Sequence, residues 1–453
     1  MVSESVPLQP EPITAPATAT KPRPVVAWGM TVMLVGVMLI AYLDKAILGL
    51  VAQPAMADLG LTAAQFGAIS SAAGLLGPLS VFLYALVADR LPIKTTLFTV
   101  VLIWCLLQLP VFFAASGGLL LATRFLLGLA EGPATPTAYA TAYSWWPNER
   151  RGLPTALLTT GASFGKLLFA PPLALIIAAF SWEAGFLAVA ILGLVWAVGW
   201  LFVGREGPYG QAVTTKAAAE PEAPAAPGPR APIRAILLTG TFAGFVLANS
   251  AAAMIAIVVL TWLPSYFQVG LGFSAVTAGS LFGVPSIAAM VFLYSCGAWS
   301  DRLLKRGTTA RRARGLMGGA VLALGGVFLS ALPLASGVAF PIALLMLGYG
   351  LAMTVNAMTN PSLVQIVPVG QQRSVLSIGL AVTGILAAGG PLLTGRVLDG
   401  ARATGALAEG YTTIFALMGG IAIVGGLLFA LVVNPERDAA KVEAARLARE
   451  LRS

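Results

Sequence analysis

Histidine is missing from this sequence altogether, and cysteine nearly so, with two residues in 453. Without histidine the chain lacks the commonest general base and metal ligand, which weighs against an intramembrane metalloenzyme. Cys105 and Cys296 both sit inside apolar runs. They are too few for a disulfide framework or a cysteine metal site. Charge is scarce too: Asp, Glu, Lys and Arg make up 10% of the residues, against about 25% in a soluble domain. So few charges cannot cover a water-facing surface of this size. No catalytic constellation, cofactor motif or metal-ligand cluster stands out, so the chain is read as a non-enzyme that needs no cofactor.

Hydrophobic residues fill the gap, at 58% of the chain. They fall into apolar stretches of about 20 residues, the length that crosses a bilayer's hydrocarbon core. Reading these runs between turn signals gives about twelve spans. The first half holds runs near 25–51, 63–88, 95–115, 118–143, 153–180 and 184–203, and the second near 233–263, 275–299, 315–335, 338–363, 374–397 and 411–433. The expected fold is all-α, a membrane protein of two six-helix bundles.

A net charge of +9 could point to nucleic acid, but the basic residues cluster in the short loops between spans. With both termini in the cytoplasm, 22 of the 27 Lys and Arg fall on the cytoplasmic side and two, Arg396 and Arg402, outside. That bias orients the chain and supports an even number of spans. The partner is thus a lipid bilayer, by expectation a bacterial inner membrane, and no nucleic acid. Residues 1–24 are polar and rich in Pro, Ala and Thr, without the layout of a cleaved signal peptide. The first span is expected to be an uncleaved anchor.

The division that follows is a disordered cytoplasmic N-terminus over 1–24, one bundle over 25–204, a linker over 205–232, a second bundle over 233–433 and a cytoplasmic tail over 434–453. The linker carries AAAEPEAPAAPGPRAP, which cannot bury enough apolar surface to fold. The tail, PERDAAKVEAARLARELRS, reads as charged, partly helical and solvated.

The two bundles echo each other. Ala88-Asp89-Arg90-Leu91 follows the second span and Ser300-Asp301-Arg302-Leu303 the eighth; Trp146-Pro147 and Val367-Pro368 open the loops after the fourth and tenth. A parallel repeat of this kind is the trace of two bundles flanking a central site. The loop pattern resembles that of the major facilitator superfamily: Ala85, Asp89-Arg90 and Lys94 in one copy, Gly297, Asp301-Arg302 and Arg306 in the other, with Pro92 and Leu304 at the turn-glycine position. Within that superfamily the chain resembles the anion:cation symporters, which include sialic-acid, vesicular glutamate, sugar-acid and aromatic-acid carriers. This rests on Tyr42-Leu43-Asp44-Lys45, on Arg124 through Gly132 (RFLLGLAEG), on Trp145-Trp146-Pro147, and on Gly161 and Gly165 leading into Pro171-Pro172. The family's usual Asp-Arg is here Asp44-Lys45, and Glu149-Arg150 comes one residue early.

Five ionisable residues fall within spans: Asp44, Lys45, Arg124, Glu131 and Lys166. Uncompensated, each costs about 2.5–3.5 kcal/mol at a helix centre, about 12–17 kcal/mol together, so they must face one another or a watery cavity. Arg124 and Glu131, seven residues apart, share one helix face about 10.5 Å apart along the axis. They cannot pair directly. Asp44 is the natural partner for Arg124, leaving Lys45 and Lys166 to meet an anion. Three cations against two carboxylates leave one positive charge in excess, suited to a carboxylate substrate. The resemblance implies proton-coupled symport with Asp44 and Glu131 as the titrating groups.

Tyr42 and Tyr139 are candidate pocket walls. Asn249, Asn356 and Asn360 could bond substrate hydroxyls, or equally neighbouring helices. Trp262, Tyr266 and Phe267 read as an interfacial aromatic belt. Asp89, Arg90, Asp301 and Arg302 are candidate gating residues at helix ends. The function expected is uptake of a small organic anion, a sugar acid or aromatic acid, with protons, by alternating access and as a monomer. An efflux antiporter of the same superfamily is the second reading, and a non-transporting membrane sensor the third.

Overall fold

The computed structural model of the chain describes residues 24–85, 87, 91–147, 150–209, 230–368 and 371–451. Every regular element among them is helical. In hydrocarbon, only a structure that satisfies its own backbone polar groups can span, and the apolar runs meet that demand as helices. The first half holds α1 (Pro24–Leu59), α2 (Ala63–Ala85), α3 (Ile93–Phe113), α4 (Gly117–Glu131), α5 (Ala134–Trp145), α6 (Gly152–Ala179) and α7 (Trp182–Val203). The second holds α8 (Ile233–Leu237), α9 (Gly240–Ser265), α10 (Ala275–Leu281), α11 (Val284–Lys305), α12 (Met317–Ser330), α13 (Ala339–Met353), α14 (Val355–Ile366), α15 (Gln372–Ala403), α16 (Leu407–Val432) and α17 (Pro435–Glu450). Side-chain caps close several starts: Ser116, Ser181, Thr239 and Ser274 each accept a backbone N–H three residues on.

Ten described segments are long and apolar enough to cross a membrane. Of the twelve expected spans, the fourth and fifth are not among these ten. The fifth is α6, broken by no turn but carrying Pro171 and Pro172. The fourth, expected as one helix over 118–143, is split at Gly132-Pro133 into α4 and α5, because proline lacks the N–H that would continue the ladder. Ser80 of α2 repairs the break: its Oγ accepts the Gly132 N–H at 3.0 Å and donates to the Leu129 carbonyl. The tenth span is likewise split, at Thr354, whose hydroxyl bonds back to the Leu351 carbonyl at 2.6 Å. The eighth breaks at Phe282-Gly283.

The halves meet where α2 packs along α15, α1 on α9, and α6 on α10. The closest approaches lie toward the end of the bundle that carries the loops at 60–62 and 404–406. A Cβ on Gly67 would stand 2.3 Å from the Pro391 carbonyl oxygen, and one on Gly395 2.2 Å from that of Ala63, so only glycine lets α2 and α15 touch backbone to backbone. Gln53 of α1 donates to the Tyr411 hydroxyl of α16 at 3.1 Å, and the Asp399 carboxylate accepts the Ala63 and Ala64 N–H groups at 2.8 and 2.9 Å. This end is sealed.

Two expectations are corrected here. Trp262, Tyr266 and Phe267 are not an interfacial belt: all three are buried, and Trp262 donates to the Pro391 carbonyl while Tyr266 meets Tyr411 and Phe415. A π-helical turn at Tyr266–Gly270 ends α9 there, and the rings fill the sealed end. Nor is the tail simply solvated. Asn434 caps α17, Pro435, Asp438 and Val442 are buried, and α17 lies against α14 and α8. The linker lies outside the described residues except at its two ends, as does the N-terminal segment up to residue 23.

Candidate functional site

Neighbouring residues of α1 hold two charged residues of α4. Asp44 and Lys45 diverge by about 100° around their helix. Arg124 Nη1 lies 3.3 Å from the Asp44 carboxylate, and Lys45 Nζ lies 2.8 Å from Glu131. The expected Asp44–Arg124 pair is therefore formed. The expectation that Lys45 stands free does not hold in this state, because Glu131 occupies it. The reason is local. Glu131 is the last residue of α4, where the helix dipole disfavours negative charge, and the Lys45 ammonium of α1 offsets that.

The two pairs differ in access. Arg124 and Asp44 side chains are 1% and 3% exposed, Lys45 and Glu131 40% and 18%. The second pair is partly exposed and the first is buried. Arg124 is held on three further sides: its Nη2 donates to Gln108 at 2.8 Å, its Nη1 lies 3.5 Å from the Asp44 carbonyl, and its guanidinium sits over the Phe186 ring at 5.5 Å. Its Nε finds no hydrogen-bond partner among the described residues. Arg124 is thus a buried anchor rather than an open anion receptor in this conformation.

Around the accessible pair, the Tyr42 ring faces Lys45 Nζ at 5.4 Å. Tyr139, half-buried on α5, shares a hydrogen bond of 2.8 Å with Thr159 of α6 and lies beside Tyr143. Lys166 is not part of this cluster; it is buried on α6 and reaches Tyr349 of α13 in the other half. Asn356 is exposed and donates to the carbonyl of Met353 in the preceding turn. Asn249 bridges helices, donating to Phe245 and accepting from Thr359. Asp301 and Arg302 lie exposed in the last turns of α11, while Asp89 and Arg90 fall outside the described residues. Gly161 and Gly165 pack against Val35, Met38 and Leu39 of α1, so that motif is a helix contact.

Sequence reasoning missed Gln108, Tyr349 and Asp399. Gln108 had a readable signal, a lone amide in the apolar run of α3. A wide apolar groove of about 820 Å³ lies between α9, α15 and α16, lined by residues such as Leu247, Met254 and Leu386. It holds none of the charged residues and is not the site.

The comparisons agree with this architecture. The family model described as Major Facilitator Superfamily matches residues 33–391. A hexuronate transporter of Bacillus subtilis is 32% identical over 273 residues, 60% of this chain and 64% of that protein. A probable sulfoacetate transporter of Cupriavidus necator is 28% identical over 419 residues, 89% of this chain and 94% of that one. Among solved structures, a bacterial homolog of the human lysosomal transporter Spinster, inward-facing and occupied, superposes with a TM-score of 0.75 at 16% identity, covering 92% of this chain and 99% of that one. A D-xylose–proton symporter gives 0.70 at 15% identity, covering 91% and 99%. Since the family match runs from α1 into α15 and so takes in both halves and the contact between them, the chain belongs to the Major Facilitator Superfamily, a family of transporters and not of enzymes.

Proposed function

We propose that this chain is a secondary transporter that carries a small organic anion across a membrane together with protons. The observation that carries the reading is the accessible Lys45–Glu131 pair beside the inaccessible Asp44–Arg124 pair. In the empty protein Glu131 neutralises Lys45. A proton on Glu131 releases the ammonium, and a carboxylate from solution takes Glu131's place. Proton and anion then depend on each other without touching, which is what symport requires. Relatives named for hexuronate, galactarate or D-glucarate, D-galactonate and sulfoacetate support an anionic substrate. With the termini in the cytoplasm, as the basic residues favour, the sealed end faces outward and the site opens inward. Alternating access then amounts to breaking the α2–α15 and α1–α9 contacts and closing the opposite end.

The test is uptake into proteoliposomes under an imposed pH gradient, acidic outside, with labelled galactonate, glucuronate, galactarate and sulfoacetate. Accumulation of at least one acid, abolished by a protonophore, is expected. Uptake of none of these acids, together with export of lipophilic cations, would replace this reading with efflux.

A further inference from the structure

Lys166 is 6% exposed, and no ion pair to it occurs among the described residues. Asp44 and Glu131 are each engaged by another cation, so of the five charges Asp44, Lys45, Arg124, Glu131 and Lys166 the last is left over. Its Nζ has the Tyr349 hydroxyl at 3.5 Å and the same ring at 5.6 Å. These supply a dipole and a quadrupole but no negative charge, and an ammonium buried at this depth is costly without one.

The position of Lys166 matters as much as its charge. Gly165 packs on Leu39, its Cβ direction 3.4 Å from the Leu39 carbonyl oxygen. Lys166 therefore stands about level with Ile40, and Lys45 lies five residues, about 7.5 Å, further along α1. Two cations are thus set at different depths, Lys45 on α1 and Lys166 on α6. Tyr349 belongs to α13 in the other half, so a group held at Lys166 touches both bundles.

We propose that Lys166 with Tyr349 forms a second anion subsite, and that the substrate is a short linear compound with an anionic group at each end. This rests on the anion reading above. One end takes Lys45 when Glu131 accepts a proton; the other takes Lys166, through a charge-assisted hydrogen bond, with the Tyr349 hydroxyl as a second donor. A monoanion leaves one of the two ammonium groups unanswered. Because the subsite lies between the halves, the dianion also links them.

The experiment measures binding to the purified protein for acids matched in skeleton and different in one terminal group: galactarate against galactonate, glucarate against gluconate, sulfoacetate against acetate. For at least one pair the wild type should favour the dianion. Lys166→Gln should reduce that preference roughly tenfold or more, the scale of losing one desolvated charge contact, while Lys166→Arg should keep it. Thermal unfolding of each variant in detergent shows whether it is folded. If Lys166→Gln keeps the full preference, or the wild type favours the monoanion in every pair it binds, the second subsite is refuted and the anion reading stands. If no acid of the panel binds, both fall.

Discussion

At the residue scale, the two ion pairs divide the work, and each can be broken separately. Arg124→Ala leaves Asp44 buried without its cation, which should cost about 3–5 kcal/mol of stability and abolish uptake. The double variant Asp44→Asn with Arg124→Gln removes both charges, so it should recover much of the thermal stability in detergent and still not transport. A near wild-type uptake rate for Arg124→Ala would remove it from the transport machinery. Glu131→Gln gives a different outcome, because it mimics the protonated acid and frees Lys45 permanently. This variant should exchange labelled for unlabelled substrate and fail to concentrate it under a pH gradient. If it concentrates substrate as the parent does, the proton travels by another group, and Asp44 is the remaining acid of the cluster. The identity of these four residues was legible in the sequence, since charge within an apolar run needs an explanation. Their partners were only half legible. Spacing within α4 ruled out an Arg124–Glu131 pair, but the depth at which α1 crosses α4 is a packing fact.

At the element scale, the start of α2 is capped across the molecule. Asp399 of α15 takes two of its free N–H groups, and a carboxylate there also meets the positive end of the helix dipole. The cap exists only while the two helices touch, so it holds this end shut. Asp399→Ala removes a cap worth about 0.5–2 kcal/mol and should shift the balance toward the conformation open at this end. The readout is the rate at which an impermeant maleimide modifies a cysteine introduced by Ala63→Cys, which should rise several-fold; an unchanged rate would show that Asp399 is no latch. Asp399 was hidden in the sequence because it follows an apolar run as loop residues do, and its partners lie 336 and 335 positions away. The split of the fourth span is the opposite case. Gly132-Pro133 stands in plain sequence, but the apolar run over 118–143 continues across it, and hydropathy does not register a missing N–H.

At the scale of the whole molecule, α17 ties the second half together. Glu436 accepts the N–H groups of Ala310 and Arg311 at the entry to the ninth span. Asp438 accepts the Thr241 N–H and hydroxyl at the start of α9, at 2.9 and 2.8 Å. Burial alone raises the Asp438 carboxyl, but the hydrogen bonds from Arg437 and Thr241 outweigh it and hold the group below its ordinary 3.8. The folded value is the depressed one, so the stabilisation is fully present above the unfolded value and fades as pH falls below about 4. Asp438→Asn should therefore lower the unfolding temperature in detergent at neutral pH, and the difference from wild type should narrow under acid. An equal difference at both pH values would show that ionisation of Asp438 contributes nothing.

The sequence by itself determined the class and the family resemblance, because hydropathy, loop charge and the echoed motifs are all local properties. It also named the charged residues. Only the tertiary structure decided that Glu131 neutralises Lys45, that Lys166 has no ion pair among the described residues, which end of the bundle is sealed, and that the tail is docked. Those are relations between residues far apart in the chain. They depend on crossing depth and on glycine contacts between helices, which no single run of residues records.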